Sequence, residues 1–186
     1  QTLMVMAMYV EKDMTLSTYS PMMQRNLLGN FKTKTTGLSS ITVSSLIKIS
    51  EGNGYQINAQ IGLEKFIGDN DKTGKVLTPM NMAKEMVLPY SMQVSDESTS
   101  LIAGLNISKN TENWSYGGQI TFKNKIDDKE WSYGNGFTLN GWAGKNLSDS
   151  IWGSIRLSYA DIDSIDGRDM RIMAPVQTAN PQNYGG

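Results

Sequence analysis

The methionines are the residues of this chain whose type and spacing point most directly to chemistry. Met4, Met6 and Met8 alternate along one segment, so in an extended strand their thioethers lie on the same face. Thioether sulfur favours Cu(I) over hard cations, and a Cu(I) site formed by these three residues is therefore one interpretation. Two others remain open: an adaptable apolar constriction for hydrophobic solutes, or packing of the loops into a plug.

The remaining methionines are clustered as well. Of the 12 in the chain, none lies in residues 24–79 or 93–169. Methionine that only fills a core is expected among the other strands too, so core filling alone does not account for this distribution. The others are Met14 on the first segment and, in predicted loops, Met22, Met23, Met80, Met82, Met86, Met92, Met170 and Met173.

The chain contains no Cys and no His, two residue types that carry much of enzyme chemistry. Without Cys there are no disulfides, thiolate nucleophiles or zinc–thiolate sites. Without His, a Ser-His-Asp triad and imidazole metal ligands are excluded. The net charge of −1, with both signs interspersed, does not indicate nucleic-acid binding. We predict that the protein is not an enzyme, has no catalytic residues and binds no nucleic acid.

Four carboxylates lie close together near the end of the chain, at Asp161, Asp163, Asp166 and Asp169, beside Gly167. Their spacing does not match an EF-hand loop, because no Glu follows at the position that binds calcium with both oxygens. We predict a solvated loop here, with surface Ca²⁺ as the alternative.

Apolar and polar residues alternate over several stretches of the chain. In Tyr55–Lys65 the odd-numbered positions 55–63 are apolar, while the even-numbered positions are polar or Gly. In Trp114–Lys123 the even-numbered positions are apolar or Gly, and the odd-numbered positions are polar or Gly. A period of two over such lengths is typical of a strand with one apolar and one polar face.

Seven such stretches are predicted as strands, and the links between them alternate between long and short. Tight turns on one side and long loops on the other are typical of a transmembrane barrel. No run approaches the roughly 20 apolar residues of a membrane-spanning helix. The predicted fold class is all-β, an antiparallel transmembrane β-barrel of which this chain supplies about seven strands. The predicted strands are 3–14, 38–50, 55–67, 98–109, 114–126, 136–147 and 151–163.

The link lengths also suggest an orientation and a location. Since bacterial single-chain barrels have even numbers of strands, the single domain 1–186 is expected to be incomplete at both ends. The implied location is the bacterial outer membrane, with the lipid bilayer as partner. The short links assigned to the periplasm are 51–54, 110–113 and 148–150, and the links assigned to the outside are 15–37, 68–97, 127–135 and 164–186.

The polar strand faces are expected to line a lumen, where side-chain charge sets selectivity. The methionine face of the first strand is assigned inward because the opposite face matches the lipid-facing composition elsewhere. Lys48 and Lys145 fit a lumen position and an interface anchor equally well. Aromatic girdles are predicted at Tyr9, Tyr55, Phe66, Trp114, Phe137 and Tyr159. The predicted lumen-lining residues are Met4, Met6, Met8, Gln56, Asn58, Gln60, Glu64, Gln119, Lys123 and Arg156.

Several segments, in one order along nearly the whole chain, carry a resemblance to a known family. They are TLMVMAMYVEKDM, GLSSITVSSLIKI, VLPYSMQ, NWSYGGQ, LNGWAGKNLSDSIWGSIRLSY and NPQNYGG. The chain resembles the outer-membrane transporter family described as meta-pathway phenol-degradation-like, which is thought to be distantly similar to the fatty-acid and toluene channels. The resemblance implies a closed antiparallel barrel that continues beyond both ends of this chain. Members tend to carry Pro where this chain has Met8, so a more regular first strand is implied.

The function expected from these patterns is passive passage of small hydrophobic or soft-metal solutes through an outer-membrane barrel. The alternative is a non-transporting structural or interaction barrel whose extracellular loops bind a partner protein. A soluble β-sandwich is the third class considered.

Overall fold

The structure is a computed structural model that describes residues 1–21, 26–148 and 151–172. These residues form an all-β fold whose main sheet is antiparallel and curls into a half-barrel. Within the described ranges, helical structure is limited to the three-residue 3-10 turn Tyr90–Met92, and no helix is long and apolar enough to span a membrane. The strands are β1 Thr2–Tyr19, β2 Leu27–Gly52, β3 Tyr55–Phe66, β4 Thr73–Leu77, β5 Ala83–Val87, β6 Thr99–Asn110, β7 Trp114–Lys125, β8 Trp131–Ser132, β9 Gly136–Ser148, β10 Ile151–Ile162 and β11 Asp166–Gly167.

The main sheet contains seven strands in the order β1-β2-β3-β6-β7-β9-β10, and the all-β, antiparallel, seven-strand prediction is confirmed. All neighbouring strands of this sheet are antiparallel. At one end of the sheet, short turns join β2 to β3, β6 to β7 and β9 to β10. We call this the turn end, and the opposite end the cap end. The turn residues Asp149 and Ser150 lie outside the described residues.

The predicted loop 15–37 is wrong for most of its length. Strand β1 continues to Tyr19 and β2 begins at Leu27, so the two strands form a long antiparallel hairpin. Its register shifts between Met8 and Tyr9 and again between Thr18 and Tyr19, so the expectation of a more regular first strand at Met8 is wrong. The outward side chains of this extension are polar, as at Glu11 and Lys34, which form an exposed ion pair. The alternation of apolar and polar residues therefore ends before the backbone ladder does, and a pattern search stops too early.

The long links of the cap end fold into a layer that covers part of the concave face. We call this layer the cap and define it as the described residues 67–98, 126–135 and 163–172. It contains the β4–β5 hairpin and the short β8–β11 pair. Burial of each large apolar side chain contributes about 1.5–3 kcal/mol, so a cluster of buried apolar residues holds the cap together. The residues of this cluster are Val76, Leu88, Tyr90, Met92, Trp131, Ile165 and Ile172.

The cap is fastened to the concave face by side chains of β1 and β2. Lys12 Nζ donates to the Gln93 carbonyl at 2.5 Å, and Thr35 Oγ1 donates to the Met92 carbonyl at 2.7 Å. Ser39 Oγ donates to the carbonyl of Val94 at 2.8 Å. These bonds satisfy backbone acceptors that burial removes from water.

The convex face is apolar through the middle of the strands. Large apolar side chains remain exposed there because no part of the described chain covers them. A soluble monomer rarely presents so continuous an apolar surface. Examples on successive strands are Val5, Val43, Leu63, Leu105, Phe122, Leu139 and Leu157.

Candidate functional site on the concave face

A row of amide side chains crosses the middle of the concave face. The registers place Asn58 opposite Asn106, Asn106 opposite Gln119, and Gln119 opposite Asn140. Neighbouring amides extend the row, since Gln119 Nε2 donates to Gln60 Oε1 at 3.2 Å. The row therefore presents uncharged donors and acceptors across β3, β6, β7 and β9.

An ion pair lies on the same face, nearer the cap end. Lys123 Nζ is 2.7 Å from Glu64 Oε2, and Ser40 Oγ donates to Glu64 Oε1 at 2.7 Å. The Glu64 side chain is buried, whereas Lys123 keeps 37% of its side-chain surface exposed. A buried carboxylate is stable only when it is paired and hydrogen-bonded, and both conditions are met here.

A second, more deeply buried ion pair joins the cap to the seven-stranded main sheet, which we call the wall. Asp96 Oδ2 accepts hydrogen bonds from Lys125 Nζ at 2.7 Å and from the Tyr133 backbone N–H at 2.8 Å, and Ser98 Oγ donates to Asp96 Oδ1 at 2.7 Å. Burial by itself raises the pKa of the Asp96 carboxyl, but the hydrogen bonds and charge of Lys125 and the bonds from Ser98 outweigh it and leave the pKa below its ordinary value. Asp96 therefore connects three separate segments as a carboxylate.

Phe66 lies between the two ion pairs, and its assignment to an aromatic girdle is wrong. Its ring is buried on the concave face, with the ammonium groups of Lys123 and Lys125 at 4.5 Å and 4.3 Å from its centroid. A cation over a ring face is attracted by the ring quadrupole. Position 66 shares parity with Glu64, so the strand pattern contained the signal that this ring points inward.

A cavity of about 370 Å³ opens beside these groups, between the wall and the cap. Apolar side chains supply most of its lining, among them Phe66, Ile102 and Ile162. Of the residues that the structure describes, the charged ones lining it are Lys123 and Lys125. The cavity is thus an apolar chamber with two ammonium groups in its wall.

Two tryptophans cover glycines at the turn end of the concave face. A Cβ at Gly117 would meet the Trp142 ring at 2.5 Å, and one at Gly144 would meet the Trp152 ring at 2.2 Å. Glycine is required at both positions because an added Cβ would clash with the ring and, at Gly117, also with the Ile107 carbonyl oxygen at 2.4 Å. Arg156 stands 5.9 Å from the Trp142 ring centre, on the same face.

The methionines of β1 are placed on the concave side. Met4, Met6 and Met8 share parity with Lys12 and Thr18, whose side chains bond to the cap. Met6 and Met8 are about half exposed. Elsewhere the methionines divide: Met14, Met86 and Met92 pack in or against the cap core, Met80, Met82 and Met170 are exposed, and Met22, Met23 and Met173 lie outside the described residues.

The predicted lumen-lining residues are brought together only in part. Gln56, Asn58, Gln60 and Glu64 share the concave face of β3, and Gln119 and Lys123 follow on β7, two strands away. Arg156 lies farther along, on β10, and Met4, Met6 and Met8 lie on β1. Lys48 pairs with Glu51 at 2.5 Å, and Lys145 lies 4.9 Å from the convex Trp114 ring.

Sequence reasoning missed the charged residues that hold the cap. Asp169 was predicted in a solvated loop, which is wrong, because its side chain is buried. It is paired with Arg171 at 2.8 Å, and its backbone N–H donates to Tyr90 Oη at 2.9 Å. No group of three or more His, Cys, Asp or Glu that could hold a metal ion occurs within the described ranges. Asp96 and Lys125 were missed because their partners are distant in the chain.

The fold defines an all-β protein with a curled antiparallel half-barrel and a cap over its concave face. No family model matches the chain, and no curated protein matches it significantly.

Proposed function

We propose that the chain forms part of the wall of a bacterial outer-membrane β-barrel through which small hydrophobic or soft-metal solutes pass passively. The observation that carries the proposal is the opposition of the two faces of one sheet. The convex face exposes large apolar side chains across neighbouring strands, while the concave face holds amides and ion pairs. Lipid outside and water inside is the environment that favours this arrangement.

The proposed path runs along the concave face. A solute first meets the cavity beneath the cap, then the amide row, and then Trp142 and Arg156 near the turn end. Passage requires each site to bind weakly enough to release the solute again. The mechanism is therefore selective diffusion, in which the cap limits access and the polar side chains of the concave face set selectivity.

Location is tested by fractionation of Gram-negative cells that express the full-length protein. We expect it in the outer-membrane fraction, extracted only by detergent, with a gel mobility that changes on heating. Release into aqueous buffer without detergent would contradict the membrane assignment and favour a soluble sandwich.

Passage is tested by filling the cavity. Thr138 lines the cavity on the concave face, while the next residue, Leu139, is exposed on the convex face. We expect Thr138→Trp to slow uptake of a small apolar solute into intact cells, and the matched control Leu139→Trp to leave uptake unchanged. Equal rates in both variants, each checked for heat-modifiable mobility, would count against this path.

The soft-metal part of the proposal depends on the β1 methionines. Leucine matches methionine in volume but lacks sulfur. We expect Met4→Leu, Met6→Leu and Met8→Leu together to abolish Cu(I) binding while uptake of a hydrophobic solute survives. Unchanged Cu(I) binding would leave these residues with an apolar role only.

The second candidate is an interaction barrel whose outer loops bind a partner protein. It is favoured by the tip of the β4–β5 hairpin, where Met80 and Met82 are 80% and 59% exposed. Flexible methionines suit adaptable protein contacts. This candidate predicts that cells lacking the protein take up solutes as fast as cells that have it, which the transport proposal does not.

A further inference from the structure

We propose that the cavity beneath the cap is a binding site for a small apolar monocarboxylate, a carboxylate carried on an aromatic ring or a short hydrocarbon. The inference deepens the proposed function by naming a class of solute. It stands on the chemistry of the cavity wall, which differs from that of the amide row.

In each of the two ion pairs, the ammonium group lines the cavity and its carboxylate partner does not. Lys123 and Lys125 line the cavity, whereas Glu64 on β3 and Asp96 in the cap are buried and are not part of its lining. Each carboxylate is also held by other donors, Glu64 by Ser40 and Asp96 by Ser98 and the Tyr133 backbone N–H. A solute in the cavity therefore meets positive charge, although the four groups together are neutral.

Lys123 is the ammonium available to a ligand. It keeps 37% of its side-chain surface exposed, whereas Lys125 keeps 10% and donates to both Asp96 and Ser98. An ammonium has three N–H donors, so Lys123 is able to bind a ligand carboxylate while it remains paired with Glu64. A hydrogen bond to a charged group in a partly dry site is stronger than one to a neutral group.

The rest of the cavity favours an apolar body. Phe66, Ile102 and Ile162 form walls against which an aromatic or aliphatic group loses contact with water. A cavity of about 370 Å³ lies in the range used for small ligands rather than for polymers. The combination of one accessible cation and apolar walls selects a single negative charge at one end of a hydrophobic molecule.

The test is equilibrium dialysis of the full-length protein in detergent with benzoate and with its neutral counterpart benzyl alcohol. We expect benzoate to bind at least about tenfold more tightly, since only the carboxylate adds the attraction of opposite charges to the hydrogen bond from Lys123. Equal affinity for the two probes would overturn the proposal on the native protein alone, without reference to any variant.

Variants assign the effect to Lys123. Lys123→Met combined with Glu64→Gln removes the ion pair without leaving a buried charge, and should lower benzoate affinity to that of benzyl alcohol. The control Lys145→Met removes a lysine from the convex face and should change neither. Loss of the preference in the control, or its survival in the double variant, would refute the assignment. Because binding is measured in detergent, its failure is distinguishable from a failure of transport.

Discussion

At the scale of single residues, the cap depends on buried charges. Asp96 is fully buried and accepts hydrogen bonds from β7, from Ser98 and from the backbone of Tyr133. Removing one partner of a buried pair leaves the other as an uncompensated charge, which is far more costly than losing an exposed pair. We therefore expect docking of the cap to depend on Asp96.

Asp96→Asn should therefore release the cap. Because Lys125 is left buried without its anion, we expect a loss of about 3–5 kcal/mol in cap stability. Hydrogen exchange of residues 88–98 measures the effect. The matched control is Asp69→Asn, which breaks the exposed pair with Lys72 in the same link and should change exchange little. Similar exchange in both variants would show that the buried pair does not hold the cap.

Acid should weaken the same contact. The pKa of Asp96 is lowered in the folded protein, because its bonds to Lys125 and Ser98 outweigh the effect of burial. Its contribution to cap stability is present above the ordinary aspartate value of about 3.9, and is lost as pH falls from there through the lower folded pKa. Protease cleavage of the cap, with an acid-active enzyme, should rise over that interval in the native protein. In Asp96→Asn the rise should be smaller.

At the scale of elements, each strand of the main sheet separates two environments. Leu105 and Asn106 are neighbours in β6, yet Leu105 is exposed on the convex face and Asn106 belongs to the amide row. The alternation arises because successive side chains of a strand point to opposite faces. A single strand therefore tests the membrane proposal without any change in its backbone.

Arginine substitution at the two positions should have opposite consequences. Leu105→Arg places a charge in the proposed lipid layer and should cost about 2–4 kcal/mol near the bilayer midplane. Asn106→Arg places the same group in the polar interior and should be tolerated. Urea unfolding of the full-length protein in lipid vesicles measures both. Equal destabilisation would mean that lipid does not contact the convex face.

At the scale of the whole molecule, the half-barrel has two edge strands, β1 and β10, that pair with one neighbour each within the described residues. The seven strands alternate in direction, so β1 and β10 run the same way. They are unable to pair antiparallel with each other, and membrane barrels leave no open edge in hydrocarbon. The proposed closed barrel would therefore require an odd number of further strands between β1 and β10.

Engineered disulfides test this closure without interference, since the chain has no native Cys. Val5 and Val43 are register partners of β1 and β2, so Val5→Cys with Val43→Cys should cross-link on oxidation. Val5→Cys with Leu157→Cys, on β10, should not cross-link within one molecule. Efficient formation of that second bond would show that the two edges meet directly.

Local alternation of residues determined much of the sheet. The faces of Tyr55–Phe66 and Trp114–Lys125, the number of strands in the main sheet and the tight turns follow from side-chain direction in an extended backbone. The cap-end half of the β1–β2 hairpin was not predicted, because its outward residues are polar and the contrast between the two faces disappears.

The cap and its cavity were decided only by the tertiary structure. Lys125 meets Asp96 from 29 positions away, and Asp169 meets Tyr90 from 79. Strand periodicity indicates which way a side chain points. The group that pairs with a buried charge comes from a distant segment, and it is in place only after the links have folded. For this protein the sequence alone determined the two faces of the wall, and packing of distant segments created the apolar chamber against it.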